Sequence, residues 1–224
     1  MSAFRKLASA ALVALAFAST AASAAPIVID FEGIANLASV DDYYNGGTDS
    51  EGNSGTDYGI SFSRTSLAII DADAGGTGNF GNEPSPSTIL FFLSGGAATM
   101  NVAGGFDTGF SFFYSSSGTG FVNVYDGLDG TGNLLASLTL TRNIDGCTGD
   151  PSGLFCAFNP VGVTFSGIAR SVDFGGAADQ IGFDNITLGS ADPGTPGEVP
   201  EPATLALAAL GLAGMGAARR RVRN

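Results

Sequence analysis

Between Pro26 and Leu188 no stretch sustains a 3.6-residue apolar period, and that absence constrains the chain more than any motif in it. The region is built instead of short runs of β-branched and aromatic residues, cut by Gly, Asn and Asp. "IVIDF" sets Ile27, Ile29 and Phe31 against Val28 and Asp30; "GISFS" and "LAIID" follow. "TILFFL" at 88–93 is almost continuously apolar, as a central strand covered on both faces requires. "GFSFFYS" puts Phe110 and Phe112 on one face. "FVNVYD" puts Phe121 and Tyr125 on one face and Val122 and Val124 on the other. "LLASLTL" alternates Leu134, Ala136, Leu138 and Leu140, and "VGVTF", "RSVDFGG" and "DQIGFDNITL" complete the set. Many short strands with turn residues between them predict an all-β fold, an antiparallel β-sandwich of jelly-roll type. About 170 residues give one such domain a sizeable core.

The two ends read differently. Arg5 and Lys6 precede an apolar run, and Ala22-Ser23-Ala24 supplies small residues for cleavage, so 1–24 predicts a helical secretory signal peptide. The domain is then 25–189, and the small, Pro- and Gly-rich stretch 190–198 is a linker. Residues 199–224 open with Pro200-Glu201-Pro202, continue with an apolar run at 203–218, and close with Arg219, Arg220, Arg221 and Arg223. Sixteen residues of helix span about 24 Å, against a hydrocarbon core of about 30 Å. The segment is expected to cross as a short transmembrane helix with its arginines on the cytoplasmic side. The domain then lies outside the inner membrane.

That order of elements closely resembles the PEP-CTERM sorting signal of Gram-negative bacteria. The resemblance implies recognition and removal of the tail by an exosortase near Pro200, Glu201 and Pro202. It also implies an inner-membrane-anchored precursor that ends at the cell surface or outside the cell, in exopolysaccharide-rich material. The central region is similar to glycine-rich domains of unassigned function that accompany such tails.

Charge and composition narrow the activity. From Pro26 to Glu198 there are twenty Asp and Glu against Arg64, Arg142 and Arg170, a formal charge of −17. Such a surface repels nucleic acid and anionic lipid; it suits a soluble exported protein and attracts divalent cations. The same region has no His and no Lys, which removes Ser-His, Cys-His and Ser-Lys chemistry. A carboxylate-pair glycosidase is the enzymatic route left open, and the expectation is that the chain is not an enzyme. Cys147 and Cys156, in an oxidising compartment, are expected to form a disulfide closing a short loop.

Three places invite ligands. The inward phase of "IGFDNITL" slips near Asp184, where Ile181 and Phe183 give way to Ile186 and Leu188, so a bulge is expected there. This pattern resembles carbohydrate-binding-module-like sandwiches in which structural Ca2+ ties the terminal strands through an early Glu and a late Asp. The resemblance places those ligands at Glu32 and Asp184, which read equally as solvated strand-end acids. "DADAGGTGN" at 71–79 opens like an EF-hand loop, but Gly75 and Asn82 occupy ligand positions and the flanks are strand-like, so that reading fails. Tyr43, Tyr44 and Tyr58 in or beside the polar loop 42–59 are candidate sugar-stacking platforms. They read equally as rings packed on the sandwich with wet hydroxyls. Two functions follow: a structural or adhesive protein of the extracellular matrix, or an exopolysaccharide-binding module.

Overall fold

A computed structural model describes residues 25–95, 97–144, 147 and 153–194. The expected signal-peptide helix, the helix at 203–218 and the whole sorting tail lie outside these residues. Among the described residues no helix is long and apolar enough to cross a membrane.

Among the described residues eleven strands form two sheets. In chain order they are β1 (Ile27–Ile29), β2 (Ile60–Phe62), β3 (Leu67–Ile70), β4 (Thr88–Phe91), β5 (Ala97–Phe106) and β6 (Gly109–Ser116). Then come β7 (Gly120–Tyr125), β8 (Leu134–Leu140), β9 (Asn159–Thr164), β10 (Ala169–Gly176) and β11 (Ile181–Leu188). The first sheet runs β3-β4-β11-β6-β9, with β1 also on β11; the second runs β2-β5-β10-β7-β8. All strand pairs are antiparallel. The architecture is the expected β-sandwich, consistent with the jelly-roll type.

Alternation in the sequence becomes two inner faces. Val122 and Val124 of β7 are buried while Phe121 faces solvent, and β4 and β11 are buried along their whole length. Phe174 of β10 and Phe183 of β11 meet edge-on across the two sheets at 5.0 Å between ring centroids, with Phe110 and Phe112 against them. Truncating such a ring to Ala costs about 3–5 kcal/mol.

Two expectations change. The alternation sets Leu134 with Ala136, Leu138 and Leu140, but the register shifts between Val124 and Tyr125, so Leu134 pairs with Tyr125 and is exposed. One extra residue reverses the parity of what precedes it. The linker also begins later than 190. Ser111 Oγ donates to the Ser190 carbonyl at 3.0 Å, and Gly194 N donates to Thr187 Oγ1 at 3.0 Å. Residues 189–194 are therefore held against the first sheet. Gly109 and Gly162 permit this approach: a Cβ at Gly109 would stand 2.6 Å from Ala191 N, and one at Gly162 would collide with the Ala191 carbonyl.

Candidate functional site: the junction of the terminal strands

β1 and β11 pair antiparallel, Ile27 with Leu188 and Ile29 with Ile186. Just past this pairing both chains leave regular geometry. On the early side Phe31 has φ 62° and Gly33 φ 86°, so Asp30 and Glu32 turn out of the sheet. On the late side the β11–β6 register shifts between Asp184 and Thr187, with Asn185 at φ 46°. This is the bulge expected from the sequence phase.

A third segment joins them. Pro84-Ser85-Pro86 precedes β4, and the prolines carry no N–H, so Ser85 supplies the donors there. Ser85 N donates to Asp184 Oδ2 at 2.8 Å, and Ser85 Oγ lies 2.9 Å from Asp184 Oδ1. The same hydroxyl is 3.3 Å from Glu32 Oε1, 3.2 Å from the Asp30 carbonyl and 3.2 Å from the Thr88 carbonyl. One proton faces four acceptor oxygens, and Ser85 can satisfy one of them at a time. Glu32 and Asp184, paired in the sequence by resemblance alone, are thus brought together, each within hydrogen-bond reach of one hydroxyl. Glu32 is further held by Ser87 N at 2.9 Å and Thr88 N at 2.7 Å.

The electrostatics follow from burial. Asp184 is fully buried, and desolvation pushes its carboxyl up to about 7. Bonds from Ser85 and Asn185 pull it down, and the charge of Glu32 raises it again. Asp30 is also raised, chiefly by burial. Glu83 nearby is pushed to about 7 by burial, with Asp71, Asp73 and Glu32 adding repulsion. Among the described residues no group of three or more acidic, His or Cys side chains is arranged to hold a metal. The oxygens at this junction come instead from two carboxylates, two carbonyls and a hydroxyl. That set lacks nitrogen and sulfur, the chemistry of a hard cation such as Ca2+ rather than Zn2+. Asn185 Oδ1, buried next in the chain, has no hydrogen-bond partner among the described residues.

Tyr43 and Tyr44 are buried and offer no ring face to a ligand, which corrects the platform reading for both. Their rings pack edge-on at 4.8 Å between centroids, and Tyr44 contacts Phe31 and Phe62. Tyr43 OH donates to the Glu32 carbonyl at 3.0 Å, so it buttresses the junction from below. Tyr58 is exposed, stacked on Tyr44. The polar loop 42–59 is organised by Asp49, whose carboxylate accepts from Ala35 N, Glu51 N, Asn53 N and Asn53 Nδ2 at 2.8–3.0 Å. Neither Asp49 nor Ser85 was singled out by sequence. Pro-Ser-Pro was the available signal for Ser85, since two missing donors single out the third residue. Asp71, in the failed EF-hand stretch, is buried at a turn where its carbonyl accepts from Ala74 N and Gly76 N. Cys147 and Cys156 form the expected disulfide, with Cα atoms 5.3 Å apart. Pro200, Glu201, Pro202, Arg219, Arg220 and Arg221 lie outside the described residues.

Residues 198–221 match the PEP-CTERM protein-sorting motif. The motif implies an exported protein whose membrane-anchored precursor is processed by an exosortase. No curated protein sequence matches the chain. Among solved structures the chain is similar to the K2 cleaved adhesin domain of Lys-gingipain, at 12% identity and TM-score 0.42, over 74% of this chain and 99% of that one. It is also similar to a glycoside hydrolase family 43 arabinoxylan arabinofuranohydrolase from Bacillus subtilis, at 15% identity and TM-score 0.34, over 59% of this chain and 27% of that one. Both likenesses are of architecture alone.

Proposed function

We propose that the protein is a non-catalytic module of the cell surface or extracellular matrix, structural or adhesive in role, whose terminal strands are locked by Ca2+. The sorting motif at 198–221 carries the reading: the domain is delivered outside the cell on a tail that crosses the inner membrane at 203–218. The missing His and Lys between Pro26 and Glu198 remove Ser-His, Cys-His and Ser-Lys chemistry, which favours a binding role.

The Ca2+ part rests on the donor set around Ser85. Glu32 and Asp184 would supply carboxylates, and Asp30 and Thr88 carbonyls. The cation would supply positive charge where buried Asp184 and half-buried Glu32 otherwise repel. It would join the end of β1 to the bulge of β11, the strand that leads to the sorting tail. A clamp there stabilises by mass action and suits a module loaded through its C-terminal anchor.

The test of delivery is to follow the protein in the native host after Glu201→Ala and after deletion of 219–223. The expected result is unprocessed precursor in the membrane fraction. Normal size and normal surface yield in both variants would overturn the reading.

A further inference from the structure

The outward face of the second sheet carries a row of polar groups bordered at Asp173 by the loop 126–133. We propose that this face binds a neutral polysaccharide, with Phe121 as its stacking platform. Phe121 pairs with Gly175 across β7 and β10, and its ring lies flat over that glycine. A Cβ on Gly175 would meet the ring's Cζ and stand an equal 2.6 Å from both Cε atoms. That places it over the ring plane rather than beside its edge. One ring face therefore rests on backbone and the other faces water, with 37% of the residue exposed. A larger residue at 175 would tilt the ring upright.

Beside the ring lies a cross-strand row made by Thr99, Asp173, Asn123 and Ser137. Thr99 Oγ1 donates to Asp173 Oδ1 at 2.8 Å, and Ser137 Oγ donates to Asn123 Oδ1 at 2.7 Å. These bonds fix both side chains and leave Asn123 Nδ2 without a hydrogen-bond partner among the described residues, while Asp173 Oδ2 packs against Gly130, where an added Cβ would stand 2.5 Å from it. A free amide donor is thus presented next to a flat apolar ring, with a part-covered carboxylate beside it. Adjacent sugar hydroxyls and the C–H face of a pyranose require that combination. The loop 126–133 closes one end of the row, bound to the sheet by paired bonds between Asn101 and Asp129 at 2.7 and 2.8 Å. The carboxylates of Asp173 and Asp129 border the row, within an exported region, Pro26 to Glu198, of formal charge −17. An anionic polymer is repelled, so the occupant is a neutral glycan.

The inference takes its biological setting from the surface reading, but its test does not depend on sorting. The purified exported protein is run in native gels containing dextran, laminarin or galactomannan, with alginate as the anionic control. Retardation by at least one neutral polymer and none by alginate is expected. Phe121→Ala should weaken retardation at least ~10-fold with an unchanged melting midpoint. Asn123→Ala, which removes the free amide together with the acceptor of Ser137 Oγ, should weaken it too and serves if Phe121→Ala misfolds. Absence of retardation in every neutral gel, retardation by alginate alone, or wild-type behaviour of the folded variants overturns the proposal. Normal processing of the tail would then leave the surface reading standing.

Discussion

Ser85 holds Asp184 twice, by its backbone N–H at 2.8 Å and its hydroxyl at 2.9 Å, across 99 residues of sequence. The contact joins the entry to β4 to the bulge of β11. Ser85→Ala keeps the backbone bond and removes the hydroxyl from four oxygens. Hydrogen bonds to charged groups contribute about 1.5–3 kcal/mol, so a loss of about 2 kcal/mol is expected, read as the shift in a urea unfolding curve. An unchanged midpoint would show that the hydroxyl is replaced by water.

Asp184 sets a pH dependence with an unusual sign. Its folded carboxyl lies at about 7 against an ordinary 3.8, raised chiefly by burial. The folded state therefore holds the proton more tightly than the unfolded state. Its contribution is complete below the ordinary value and is lost as pH rises through about 7. Chelator-treated protein should melt lower at pH 8 than at pH 5. Added Ca2+ should raise the pH 8 midpoint in the wild type and not in Asp184→Ala. Identical melts with Ca2+ and chelator would remove the cation from the junction.

Asp49 has the opposite sign. Burial raises its carboxyl, but bonds from Asn53, Ala35 and Glu51 outweigh this and leave it below the ordinary value. Its stabilisation is present above that value and fades as pH falls through the folded one. Asp49→Ala removes four hydrogen bonds at once and is expected to cost about 3 kcal/mol. Limited proteolysis within 42–59 should accelerate in the variant.

The disulfide closes a loop with a sequence separation of 9. The chain-entropy model gives it about 2.7 kcal/mol. Cys147→Ala/Cys156→Ala should lose about that much in chemical denaturation. Mass spectrometry of the exported wild type should find no free thiol.

The sandwich was legible because a strand's side chains alternate with period two, so Val122 against Phe121 and Phe110 with Phe112 report faces directly. The bulge at Asp184 was legible for the same reason, since a broken phase in "IGFDNITL" has one local cause. Leu134 departs from the alternation because Leu135 of β8 is an extra residue opposite β7, and nothing in the residue types of "LLASLTL" marks it as a bulge. Tyr43 and Tyr44 were misread because a tyrosine in a polar loop satisfies burial and exposure equally well, and packing against Phe31 and Phe62 decided between them.

What the sequence determined by itself was local or covalent in origin: strand periodicity, the order of elements in the tail, two cysteines in an exported chain, and the excess of acid over base. These follow from residue type and spacing, which need no partner. The tertiary structure alone decided that Ser85 stands between Glu32 and Asp184, that residues 189–194 lie on the first sheet, and that the Phe121 ring rests flat on Gly175. Each joins segments distant in the chain or on different strands. Sheet register fixes such contacts, and register is set by the packing of all eleven strands together.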